Sequence, residues 1–180
     1  MKNNKTSPLL RLVYAAVCLA LCLVLPFLTG QIPQVGKVLS PMHIPVLLAG
    51  FLCGPWWALA VGVIAPPLRH LLFHMPPYPT FVAMAVELAV YGLVCGLLYR
   101  RLPKKVPYIY ISLIVAMIVG RIASGLANVV LYRVGAAEGI YTLSAFLTAH
   151  FVSAWPAIVL HIVLIPILVI ALQKARIIRD

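Results

Sequence analysis

The sequence predicts an all-α membrane protein, a bundle of six transmembrane helices with both termini cytoplasmic, as a single integral membrane domain over residues 1–180. Three observations predict it. Apolar side chains make up 64% of the 180 residues and charged ones only 9%, with a mean hydropathy of +1.09. A soluble domain of this size has too little interior to hide that much apolar surface. The apolar residues fall into long runs broken by proline, glycine and basic clusters. The 14 Lys and Arg, against 3 Asp and Glu, gather at alternate breaks, the pattern of a chain oriented by positive charge on its cytoplasmic side. At about 20 residues per crossing, no length is left for a soluble domain, so nucleotide chemistry has to come from a partner. The net charge of +11 is not a nucleic-acid footprint, because the charges sit between apolar runs instead of clustering on a soluble face.

The first helix is expected over 9–29, closed by Gly30. Its basic lead, Lys2, Lys5 and Arg11, resembles a signal peptide. The apolar run is too long for one, no small-x-small cleavage site follows, and Val17 and Leu21 precede Cys18 and Cys22 where a lipoprotein would need small residues. A polar, proline-containing loop covers Gln31 to Met42. The apolar stretch from Ile44 to Leu68, interrupted at Gly54-Pro55 and at Pro66-Pro67, is either one kinked helix or a hairpin. Charge decides. A hairpin, with helices over 43–54 and 56–73, puts Lys2, Lys5, Arg11, Arg100, Arg101, Lys104, Lys105, Lys174, Arg176 and Arg179 inside. That is ten, against Lys37, Arg69 and Arg133 outside; one helix would reverse the excess to five inside and eight outside. Trp56 and Trp57 then lie at the cytoplasmic interface, where amphipathic aromatics anchor. Three more helices are expected over 79–99, 107–132 and 143–172. The second helix, about 18 Å long at 1.5 Å per residue, is shorter than a ~30 Å hydrocarbon core. It has to tilt, be shielded or be extended by the loop before it, and that loop, with 74–80, would roof an external cavity.

Glu87 and Arg121 are ionisable groups inside spans, which face a bundle interior, a partner or a ligand. Both lie roughly 12–17 Å below the external surface at 1.5 Å per residue, so they share a layer. They form either an ion pair fixing two helices or the polar floor of a pocket, with the Arg121 fork offered to a carboxylate or amide edge. Asn128 follows Arg121 at i+7 on the same helix face. His150, Arg69, His70 and His74 lie at similar or shallower depth, and His43 opens the second helix at the same side. Tyr78, Tyr91, Phe146 and Trp155 could stack on a ring or simply pack, and His161 reads as a packing residue. The candidate binding set is Glu87, Arg121, Asn128, His150, Arg69, Tyr91, Trp155, His43 and Tyr78. Small-x-x-x-small pairs such as Ala16/Ala20, Gly50/Gly54 and Gly92/Gly96 allow close helix approach. Cys18, Cys22, Cys53 and Cys95 lack Cys-x-x-Cys spacing, which argues against a disulfide frame or zinc site. The phosphate-binding loop, His-Glu-x-x-His and Gly-x-Ser-x-Gly motifs are all missing, so no enzyme, metal or cofactor is expected.

Several segments carry a resemblance: Ala16-x-x-x-Ala20, Pro41-Met-His-Ile-Pro-Val-Leu-Leu-Ala-Gly50 leading to Gly54-Pro55-Trp56, and Pro67-Leu-Arg69 with Met75-Pro-Pro-Tyr-Pro79. Glu87-Leu-Ala-Val-Tyr-Gly92 and Gly120-Arg121 complete it. Over nearly its whole length the chain resembles the substrate-binding S components of energy-coupling factor (ECF) vitamin transporters. The resemblance implies a multi-pass protein of the bacterial plasma membrane that binds a small water-soluble vitamin or precursor from outside. It implies work with a transmembrane coupling subunit and two cytoplasmic ATPases, docking of the coupling subunit at Ala16 and Ala20, ligand cover by loops 30–43 and 74–80, and toppling of the whole bundle. Arg121, Arg69, Arg133 and Lys37 outweigh Glu87 and Glu138, which favours a carboxylate or phosphate such as a pantothenate- or niacin-like molecule. If Glu87 neutralises Arg121, a thiamine precursor, pyridoxine or riboflavin fits equally. The alternative is a stand-alone proton-coupled carrier using Glu87 and the histidines; the missing repeated half and the small size weigh against it.

Overall fold

The computed structural model of the chain describes residues 7–29 and 38–178; Lys2, Lys5, Lys37, Arg179, Asp180 and most of the first loop lie outside them. Helix α1 spans Pro8–Val24. The Ser7 hydroxyl accepts from the Leu10 amide at 3.2 Å, and Pro8 occupies a first-turn position where its missing N–H costs nothing. A 3-10 turn, Leu25–Thr29, continues it, where Pro26 cannot donate back to the preceding turn. Helix α2 is His43–Leu52 and α3 is Pro55–Phe73. Between them Gly54 takes φ +89°, a left-handed value that a side chain would resist, with the Arg100 guanidinium pressed against it. Helix α4 spans Thr80–Arg101 and α5 spans Val106–Arg133. The last stretch is α6, Leu143–Leu147, a π turn over Thr148–Val152, and α7, Trp155–Lys174. No strand occurs among the described residues.

A break at Cys53-Gly54 separates α2 from α3. One expectation needs correction. The helix expected unbroken over 143–172 is interrupted: Ser153 N–H bonds the Thr148 carbonyl at 2.8 Å, an i→i+5 link, and the chain restarts at Trp155. The restart is set by Pro156, which has no N–H to give the turn before it and disfavours helical backbone at the residue preceding it. Of the six expected spans, five helices (α1 with its 3-10 turn, α3, α4, α5 and α7) are long and apolar enough to cross a membrane; α2, with ten residues, is not.

Helix α4 is the hub, packed on α2, α3 and α5. Glycines make this possible. Gly92 and Gly96 lie against the backbone of Ala58 and Pro55, and Gly62 of α3 lies against Leu88–Ala89, so close that a Cβ at any of these three would sit 2.5–2.7 Å from main-chain atoms. Such contact favours helix association where lipid removes the hydrophobic drive. Leu9, Leu72, Ile122, Val163 and other large apolar residues are exposed on the outside, as lipid-facing surfaces require.

The chain path gives the bundle two distinct ends. At one end a small hollow of about 170 Å³ is bordered by Arg11, residues 50–54, Tyr99, Arg100, Lys104 and Ile177–Ile178, which brings the start of α1 and the end of the described chain together. At the other end Pro26, Ser40–His43, Met75–Pro77, Tyr132 and Tyr141 border a much larger cavity.

Candidate functional site

The large cavity, about 590 Å³, opens between α2, α4, α5 and the broken last helix. Its size suits a small organic ligand. Four polar side chains converge on it from four different elements. Glu87 projects from α4, where it is 9% exposed. Its Oε1 lies 3.6 Å from Nε2 of His43, in the first turn of α2, and its Oε2 lies 4.0 Å from Nε2 of His150. His150 comes from the π turn, a distortion that recurs at functional sites. Its Nδ1 is 3.2 Å from the Phe146 carbonyl and its Nε2 3.1 Å from the Ser124 hydroxyl. A carbonyl only accepts, so Nδ1 donates to Phe146; in a neutral ring Nε2 then accepts from Ser124. Phe146 supports the imidazole from one side, ring centres 4.9 Å apart, and covers Gly125, where a side chain would displace it.

Arg121, on α5, also lines the cavity and is 5% exposed. Of the two readings, a direct ion pair with Glu87 is not made: among the described residues its guanidinium has no salt bridge or hydrogen bond, interacts with Glu87 only at longer range, and lies over the face of Phe151, 5.7 Å from the ring centre. Asn128 stands two turns along the same face and donates its side-chain amide to the Ser124 carbonyl at 2.9 Å. Ser124 itself is three residues from Arg121 and four from Asn128, so the helical period alone could have found it.

Arg69 touches the cavity wall but is engaged elsewhere. Its guanidinium donates to the Leu23 carbonyl and lies between the rings of Phe27 and Phe73, 5.1 Å from each centre, tying α3 to the end of α1. The loop after α3 is fixed by His70, whose Nδ1 donates to the Pro76 carbonyl at 2.8 Å while its ring stacks on Phe81 at 4.4 Å. That places Met75, Pro76 and Pro77 over the cavity, opposite Ser40, Pro41 and Met42. Residues 30–37 of the expected first cover loop lie outside the described residues. His74 closes α3 in a left-handed conformation.

The structure therefore brings together Glu87, Arg121, Asn128, His150, His43 and Arg69, and leaves three candidates apart. Tyr91 is fully buried behind His43, ring centres 5.4 Å apart, and does not line the cavity. Tyr78 and Trp155 are 57% and 63% exposed and also lie outside the lining. Trp155 opens α7 just past the break. His161 stacks on His43, ring centres 5.9 Å apart, within the core. The lining adds Thr148, Ser153, Tyr132 and Tyr141. Thr148 and Ser153 follow Ala145, also in the lining, at i+3 and i+8, so the helical period could have found them as well.

Ala16 and Ala20 lie on the exposed face of α1, beside Val13, Val17 and Val24. The opposite face carries Ala15, Cys18 and Cys22 into the core, and all four cysteines are buried and free.

Compared with known proteins, residues 10–171 match the family described as "ECF transporter, substrate-specific component". No curated protein and no solved structure matches the chain. A family match over that length, with five long apolar helices and no strand among the described residues, carries the assignment to a multi-pass, non-enzymatic membrane subunit. The chain belongs to the substrate-specific components of ECF transporters, which bind small substrates and associate with a coupling subunit and ATPases.

Proposed function

We propose that this subunit captures a small water-soluble vitamin or vitamin precursor from outside a bacterial cell, in the cavity lined by His43, Glu87, Arg121, Asn128 and His150, and delivers it through a separate coupling subunit driven by two cytoplasmic ATPases. The observation that carries the reading is the cavity itself: a polar floor from four elements under apolar walls, at the end of the bundle opposite Arg11, Arg100 and Lys104. Positive charge favours the cytoplasmic side, so that basic end faces inward, both chain ends are cytoplasmic, and the cavity faces out. In this arrangement the chain crosses six times, with α2 as a short span shielded by α1, α3 and α4. The exposed small-residue stripe Ala16/Ala20 supports docking of the coupling subunit on α1.

Reconstitution tests the reading. Vesicles holding this chain with the coupling subunit and ATPases are expected to accumulate a labelled vitamin only when ATP is supplied on the ATPase side. Accumulation by this chain alone, following a proton gradient, would contradict the proposal and favour a secondary carrier.

A further inference from the structure

The cavity's hydrogen-bonding groups are unequally satisfied, and the imbalance describes a ligand. Glu87 faces a histidine on each oxygen, His43 at 3.6 Å and His150 at 4.0 Å. His150 has both ring nitrogens occupied, by Phe146 and Ser124. Arg69 is held by the Leu23 carbonyl and two aromatic faces. Of the charged side chains on the cavity, Arg121 alone keeps its donors unspent: a guanidinium carries five N–H groups, it is 5% exposed, and among the described residues nothing accepts from it. A buried charge without hydrogen bonds is costly, and the group that relieves it best is a carboxylate, whose two oxygens match the planar fork.

The remaining groups include the Tyr141 hydroxyl, buried without a hydrogen bond among the described residues, and two acceptors. Asn128 gives its amide N–H to Ser124, which leaves its Oδ1 without a hydrogen bond among the described residues, and Glu87 retains lone pairs toward the cavity. Between these polar points the wall is Met42, Met75, Pro76 and Met84. A phosphate monoester fits less well, since its second negative charge would stand in one cavity with Glu87 and only one unpaired guanidinium.

We infer that the ligand is a monocarboxylate: its carboxylate is held by Arg121, and hydroxyl or amide N–H donors at its other end reach Asn128 and Glu87. This rests on the reading of the cavity as the vitamin site and narrows it, because a Glu87–Arg121 ion pair would have left a neutral ring equally suited.

Isothermal titration of the detergent-purified full chain tests it with matched probes, pantothenate against panthenol and nicotinate against nicotinamide, with thiamine, pyridoxine, riboflavin and pyridoxal phosphate alongside. One carboxylate is expected to bind at least tenfold more tightly than its neutral counterpart, and Arg121→Gln is expected to erase the difference. Because the pairs are compared on the unsubstituted protein, the result does not depend on the variant folding. Binding of a neutral, cationic or phosphorylated vitamin without preference for a carboxylate overturns the inference and leaves the vitamin reading standing. Binding of none of the probes by the folded protein overturns both.

Discussion

Ala16→Leu combined with Ala20→Leu is expected to abolish ATP-dependent uptake while leaving ligand affinity within about twofold. The two alanines occupy the exposed face of α1, whereas its packing face is Ala15, Cys18 and Cys22. Two leucines there add apolar surface that lipid accepts, so the bundle keeps its fold. Association of membrane helices relies on small residues that let backbones come close, and a leucine at each position holds a partner helix away. Since neither alanine borders the cavity, binding and transport come apart in this variant. Measuring both, by titration of the purified subunit and by uptake in the assembled transporter, checks the claim. Uptake at the original rate would show that α1 is not the docking face.

Glu87→Gln is expected to cost between tenfold and a hundredfold in ligand affinity, on the scale of about 1.5–3 kcal/mol for a hydrogen bond to a charged group. The substitution keeps the shape of the side chain and removes its charge. His43 and His150 then lose the carboxylate they share, the His150–Ser124 contact is freed to reorient, and the ligand loses an acceptor on the cavity floor. Calorimetry on the variant reads the effect directly. An unchanged affinity would mean that Glu87 only fastens α4 to α2 and the π turn.

Much of this arrangement is legible in the sequence, for physical reasons that can be named. Long apolar runs punctuated by Gly54-Pro55 and the basic cluster at 100–105 give the helices, because lipid leaves the backbone few other ways to satisfy its hydrogen bonds. Glu87, Arg121 and Asn128 are found because ionisable or amide side chains within a span need a polar environment, and the i+7 spacing puts the last two on one face. Who pairs with whom is not legible. Depth places Glu87 and Arg121 in one layer, but rotation about each helix axis decides contact, and the carboxylate turns to His43 and His150 instead. Nor is the π turn: composition around Thr148–Val152 reads as ordinary helix, and only Pro156 hints at a break. His150 and Ser153, within and just after that turn, line the cavity, and Trp155 beyond it does not. Tyr78 and Tyr91 fail as lining residues for a related reason. An aromatic ring suits both core packing and ligand stacking, and sequence alone does not separate the two.

The most direct test of the cavity as the ligand site is native mass spectrometry of the purified chain beside Ala149→Trp. Ala149 lines the cavity and is exposed, not part of the core, so an indole there is expected to take up ligand space. The account predicts one small molecule bound per wild-type chain, whether co-purified or added, and none on Ala149→Trp, with the variant's melting temperature unchanged. Equal occupancy of both proteins would contradict it and move the binding site elsewhere in the bundle.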